Sequence, residues 1–308
     1  MREKKVHILQ KLSDRKIITV APYVAGGCQY LTVMGSYAYG VAETDSDCDL
    51  YGFTIPPKDM VFPHLAGHIP EFGVKPQRFE QFDQHHIVDP DDNKEYDFAV
   101  YDIVKYFQLT MECNPNMIDS LFTPHQCVRH STKIGNMVRD ARRDFLTKRC
   151  WHSFKGYAYS QLHKARIKNP EGKRKATVEK FGWDVKFGYH VVRLINEVEQ
   201  ILTEHDIDLQ RNREQLKAIR KGEMGLREVE AWFTEKEKSL EALYQSSTLR
   251  HKPDEPRIKK LLVECLEEYY GSIQDCVALD GQSIATSTLS EIAASLEKYQ
   301  KLMGKTNA

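Results

Sequence analysis

Nowhere in these 308 residues does an apolar run approach the roughly 20 residues that span a bilayer, so no membrane-embedded role is expected. Net charge is missing too. The 44 Lys and Arg cancel the 44 Asp and Glu, and overall electrostatics therefore name no polyanionic or polycationic partner. The seven cysteines (28, 48, 113, 127, 150, 265 and 276) are odd in number and form no C-x-x-C pair. That pattern argues against a disulfide framework or a cysteine zinc site, and predicts reduced, mostly buried thiols. The opening MREKKVHILQKLSDRK is charged and lacks the apolar centre of a signal peptide, so a cytoplasmic protein is expected. No internal repeat is present, and Pro and Gly become sparse after residue 131.

What is present divides near residue 125, predicting a domain over 1–125 and a helical domain over 126–308. Before the division, short apolar runs alternate with turn residues. QYLTVM (29–34) and DCDLYGFTI (47–55) read as strands, and Gln84–Val88 reads as another. The turn Asp89-Pro90-Asp91-Asp92-Asn93 leads into a returning strand, EYDFAVY. Ile103, Phe107 and Met111 recur at helical spacing, and Asn114-Pro115 supplies an N-cap and a first-turn proline for a helix over 115–122. Helical periodicity then runs over 132–147, 151–168, 178–204, 211–221, 225–246, 256–278 and 286–303. The fold class this predicts is α+β, a mixed sheet followed by an all-helical C-terminal part.

Two features of the strands are not explained by folding. Gly35-Ser36 closes the first apolar run, and Asp47-Cys48-Asp49 opens the second. Alternate strand residues share a face, so Asp47 and Asp49 point together while Cys48 points away. Two adjacent carboxylates repel unless a cation lies between them, and hard oxygen ligands suit Mg²⁺. Glycine lets the backbone turn tightly against a phosphate, and the Ser36 hydroxyl can donate to it. A short helix over 36–42 would add its free amide groups. Such an anion cradle beside a carboxylate pair suits a metal-bound nucleoside triphosphate; alternatively, the pair is a turn beside a solvated strand.

The full stretch GSYAYGVAETDSDCDLYG resembles the DNA polymerase beta nucleotidyltransferase superfamily, and within it the stand-alone YcgL/RlaP type linked to RNA repair. DFAVYDIVKYFQLTMECNPNMIDSLF is similar to that group's third-carboxylate strand with its following helix. WDVKFGYHVVRLINEVEQIL is similar to its C-terminal helical signature. The likeness covers residues 30–205 in patches. It implies a polymerase beta palm-like sheet domain, two Mg²⁺ (or Mn²⁺) ions and an NTP as co-substrate. Asp47 and Asp49 would hold both ions, Asp97 (between Tyr96 and Phe98) would hold one, and Gly35 and Ser36 would grip the β and γ phosphates. Asp102 has similar neighbours but stands where a helix begins, and Asp83, Asp89, Asp91 and Asp92 lie in loop or turn sequence. The implied reaction is attack of a hydroxyl on the α-phosphorus of an NTP, with pyrophosphate leaving.

In the helical half, Lys186, His190 and Arg193 fall at i, i+4 and i+7 and share a helix face, either toward a triphosphate or as a polar surface stripe. Residues 133–180 hold 14 Lys/Arg against 4 Asp/Glu, interleaved with Trp151, Phe154, Tyr157 and Tyr159. This segment either contacts a polynucleotide, an RNA end above all, or pairs with the acidic helices at 197–247. Lys173-Arg174-Lys175 reads as an exposed loop. His85 and His86, as strand neighbours, point to opposite faces and are not expected to share an ion. A nucleotide sensor or antitoxin-like binding protein and a metal-dependent nuclease are the competing functions.

Overall fold

The computed structural model describes residues 6–44, 46–63, 67, 69, 78–167, 173–271 and 292. Two compact units form. The first comprises Met1–Pro56 and Phe79–Tyr269, the second Pro57–Arg78 and Tyr270–Ala308. In the second unit the described structure includes one short helix, α4 (Lys58–Val61). All that follows concerns the first unit.

Its chain opens with α1 (Ile8–Asp14) and α2 (Pro22–Gly26), then β1 (Cys28–Val33), a single helical turn α3 (Gly35–Ala38) and β2 (Cys48–Thr54). β3 (Gln81–Asp89) and β4 (Lys94–Asp102) form a hairpin, and α5 (Ile103–Met111), α6 (Pro115–Phe122) and β5 (Val128–Ser131) complete the sheet region. The helices α7 (Lys133–Asp140), α8 (Arg149–Ile167), α9 (Lys173–Phe181), α10 (Val185–Glu204), α11 (Arg213–Arg220), α12 (Leu226–Ser246) and α13 (Glu255–Tyr270) follow. The α+β architecture expected from the sequence is the one that forms. The change from strands to helices expected near residue 125 falls inside this unit, with β5 as its last strand.

The sheet order is β3-β4-β2-β1-β5. Only β2 and β4 run parallel; the other neighbours are antiparallel. Both faces are buried. Leu9 and Leu12 of α1 pack with Leu31, Val33, Leu50, Phe98 and Val100 on one side. On the other, Tyr30, Phe53 and Tyr106 stack in series against α5 and α6. Arg139 of α7 bonds the Tyr30 hydroxyl at 2.7 Å, fastening the first helix after the sheet to its core. In the helical half α10 is the hub, packed on α8, α11 and α12.

Three expectations change. The stretch read as one helix over 178–204 is broken: Gly182 takes φ +77°, and Asp184 caps a new helix by accepting the Lys186 amide at 3.0 Å. The basic run at 173–175 lies in α9, not in a loop; Pro170 and Gly172 lie outside the described residues. The helix over 286–303 also lies outside them, Ile292 excepted. The turn after β1 is four residues long, shorter than the helix expected over 36–42.

Candidate active site

Because β2 and β4 are parallel neighbours in register, Asp49 stands directly beside Asp97. Adjacent strands lie about 4.8 Å apart, so the two carboxylates meet without any loop to place them. Asp47 precedes β2 by one residue and lines the same cavity. Burial, and then repulsion from Asp97 and Asp47, raise the Asp49 carboxyl to about 6, against which Lys186 acts. Asp102, the other acid on this strand, is buried at the N-cap position of α5 and does not line the cavity.

Asp97 is held from β3. A register shift between Gln84 and Ile87 bulges that strand, with His86 at φ 57°. The bulge re-aims two successive side chains, as bulges beside functional sites do. The His86 amide donates to Asp97 Oδ1 at 2.7 Å, and His85 Nδ1 lies 3.3 Å from Asp97 Oδ2, its Nε2 3.1 Å from Asp83. His86 Nδ1 meets Glu95, which raises its pKa. The opposite-face geometry expected for His85 and His86 therefore fails, because it assumes a regular strand. His86, Glu95 and Asp97 place one ligand atom each within 4.8 Å of one another.

Gly35 sits at φ +61°, and a Cβ there would lie 2.0 Å from Asp49 Oδ2. The glycine is thus required by the carboxylate's close approach as well as by the turn. Its loop is braced from far along the chain. Gln210 Nε2 donates to the Ala38 carbonyl at 3.2 Å, and Arg220 Nη1 donates to the Val41 carbonyl at 2.6 Å.

A cavity of about 740 Å³ is lined by all eight residues expected from the sequence: Gly35, Ser36, Asp47, Asp49, Asp97, Lys186, His190 and Arg193. Its size lies within the roughly 300–1,000 Å³ common for ligand clefts. Asp49 and Asp97 lie on the sheet wall, and Lys186, Arg174 and Arg220 on the α9–α11 wall, where Asp184 also lines the cavity and pairs with Arg174. The face 186–190–193 is graded in depth. Lys186 is exposed, His190 half-buried, and Arg193 only 3% exposed. Arg193 is bonded to Asp119 and to Glu197, and lies over the Tyr39 ring at 4.5 Å, while the Tyr39 hydroxyl donates to Asp119 at 2.8 Å. Its guanidinium thus joins α10 to α3 and α6. Desolvation, helped by the Arg193 and Lys186 charges, keeps the His190 pKa well below its ordinary value, so the ring is neutral. Its buried Nδ1 has no hydrogen-bond partner among the described residues.

The basic segment 133–180 is partly matched by acids. Lys155 and Tyr159 of α8 meet Glu237, and Arg166 meets Glu230, both on α12. Arg143 pairs with Asp206, Arg174 with Asp184, and Trp151 and Phe154 are fully buried. Tyr157 and Arg174 are the members of the segment's aromatic and cationic set that line the cavity.

The donor set fits divalent cations. Asp49 and Asp97 stand side by side with Asp47 lining the same cavity, and burial, then repulsion from the other two, raises the Asp49 carboxyl, in a cradle that a single methyl at Gly35 would fill. Sequence reading named Arg174 and Tyr157 only within the basic segment, set the β3 histidines aside and passed over Arg220. Arg220 carried no local signal, whereas His85-His86 was visible but misassigned. Among the described residues no helix is long and apolar enough to cross a membrane. A family model described as RlaP, RNA repair pathway DNA polymerase beta family, matches residues 25–264. Comparison with curated proteins finds no match.

Proposed function

This chain belongs to the RNA repair pathway DNA polymerase beta family, and from that premise we propose that it is a divalent-metal-dependent nucleotidyltransferase that moves a nucleoside monophosphate from an NTP to a hydroxyl of an RNA end, releasing pyrophosphate. The observation that carries the reading is the parallel register of Asp49 and Asp97, facing Gly35, Ser36 and Lys186 around one cavity. Asp47, Asp49 and Asp97 would hold Mg²⁺ or Mn²⁺, with Asp97 on the acceptor side. Bound there, the cations would neutralise charge on the attacking and departing oxygens.

The chain's own residues then have distinct tasks. Ser36 donates to a terminal phosphate oxygen, and Lys186, exposed on the opposite wall, pairs with the triphosphate. His190, which lines the cavity and is neutral, suits a hydrogen bond to substrate in place of a salt bridge. Arg193 fixes the cavity floor through Asp119 and Glu197. Asp97, oriented by the β3 bulge, accepts the proton of the attacking hydroxyl. Rate comes chiefly from positioning and charge neutralisation. The family's description and the presence of Tyr157 and Arg174 on the rim support RNA as acceptor.

The test is incubation with each α-labelled NTP, Mg²⁺ or Mn²⁺, and RNA, DNA and protein acceptors. Label transfer to RNA is expected, falling by about 10²–10³-fold or more in Asp47→Ala and Asp49→Ala. Asp97→Asn should reduce turnover far more than NTP affinity. Tight NTP binding without pyrophosphate release identifies a sensor instead, and RNA shortening without NTP identifies a nuclease.

A further inference from the structure

The end of β1 remote from Gly35 carries a second group of metal-ligating side chains. His7 is the N-cap of α1, Cys28 opens β1, and His130 lies on β5 opposite Leu31. One ligand atom from each falls within 4.8 Å of the other two, and the imidazole centroids are 4.5 Å apart. None of the three lines the nucleotide cavity. The six residues of β1 separate the two places by about 20 Å of extended chain.

Cys28 reaches this position through an irregularity. In a regular strand it would share a face with Tyr30 and oppose Leu31. The register shift between Cys28 and Tyr30 returns it to the side of Leu31, Val33 and the α1 leucines. The ring orientations are also set. His130 Nε2 lies 3.1 Å from the Cys28 carbonyl, which can only accept, so Nε2 carries the proton and Nδ1 a lone pair. His7 Nδ1 accepts the Gln10 amide at a long 3.3 Å, so it too bears a lone pair, and the Ala25 carbonyl takes a proton from the same ring. His130 thus turns its N–H to a main-chain carbonyl and keeps Nδ1 available, the arrangement typical of metal-bound histidine, whereas His7 Nδ1 ligates only by exchanging its long Gln10 contact for the metal. Cys28 Sγ makes only a weak 3.7 Å contact to the Tyr30 carbonyl.

We propose that His7, Cys28 and His130 form a site for a thiophilic divalent cation of the Zn²⁺ class, with water as the fourth ligand, clipping α1 to the β1–β5 edge. Two imidazoles and one thiolate suit Zn²⁺, and not the Mg²⁺ favoured by the carboxylates of the nucleotide cavity. On loading, the Cys28 S–H bond breaks, its proton passes to solvent and the sulfur–metal bond forms. No sequence pattern hints at this site, since the ligands come from three elements and contain no paired-cysteine spacing.

The test is titration of the chelator-stripped full chain with Co²⁺, followed by the sulfur-to-cobalt charge-transfer band in the near ultraviolet, in wild type and in Asp49→Asn. One equivalent is expected to saturate the band in both, and Zn²⁺ to abolish it by displacement. Cys28→Ser should remove it, and His130→Gln and His7→Gln should each weaken Co²⁺ binding by about tenfold or more. Should Cys28→Ser not fold, as judged by circular dichroism, the His7→Gln variant at the helix cap decides. A folded wild type with no band overturns the proposal. So does a band that survives Cys28→Ser, or one undiminished in both histidine variants. Loss of the band in Asp49→Asn would place the thiolate elsewhere and overturn it as well. Because the readout is optical and needs no NTP, the result stands independently of the transferase assay.

Discussion

A Cβ on Gly35 would approach Asp49 Oδ2 to 2.0 Å, and the residue's φ of +61° is one that side-chain-bearing residues adopt at a cost. Gly35→Ala should therefore lower stability by about 1–3 kcal/mol in urea unfolding, and should reduce label transfer further than that loss explains, because Asp49 is displaced. Arg193 gives a second contrast. Asp119 and Glu197 are fully buried on one guanidinium, and Arg193→Met leaves both without compensation, a loss of about 3–5 kcal/mol. Glu197→Gln leaves one cation facing one anion and should be close to neutral. Burial raises the pKa of both acids, so the folded state binds their protons more tightly than the unfolded state. The cost of these charges is fully present above the raised pKa and disappears as pH falls toward the ordinary carboxylate range. Relative to wild type, Arg193→Met should thus regain stability between pH 7 and about 4, measured by urea midpoints.

At the scale of elements, α8 and α12 show why a charge excess in sequence does not make a basic surface in space. Lys155 and Arg166 face Glu237 and Glu230, and such exposed pairs contribute about 0–1 kcal/mol each. Replacing Glu230 and Glu237 by Gln should leave stability within about 1 kcal/mol while making RNA affinity stronger and more steeply salt-dependent than in wild type, by fluorescence anisotropy. The strand leading to Gly35 and the strands bearing Asp49 and Asp97 were readable from short apolar runs and from acids that those runs could not explain. The β3 bulge was not readable, because no glycine marks it and His86 occupies the left-handed region itself. β5 was missed since Val128–Ser131 is four residues long, half-exposed and polar. The α9–α10 break did carry its signals, Gly182 followed by the capping Asp184, within a periodicity strong enough to hide them.

Across the whole molecule, charge that cancels in the total is unevenly spread at the cavity, with Asp49 and Asp97 on the sheet and Arg174, Lys186 and Arg220 on the helices. The motif resemblance ended near residue 205, whereas the family match continues to 264, a span that includes Gln210 and Arg220, which hold the loop that carries Gly35 and Ser36. Tertiary bracing of this kind leaves no periodic trace.

The Tyr39–Asp119–Arg193–Glu197 linkage has a further bearing on how this chain can change. With three helices locked through one guanidinium, the spacing between the cavity walls is not free to drift, so new substrate preferences must arise at the rim. Libraries randomised at Tyr157, Thr177 and Phe181 should return folded proteins with shifted nucleotide choice, while libraries randomised at the linkage should return mostly insoluble ones.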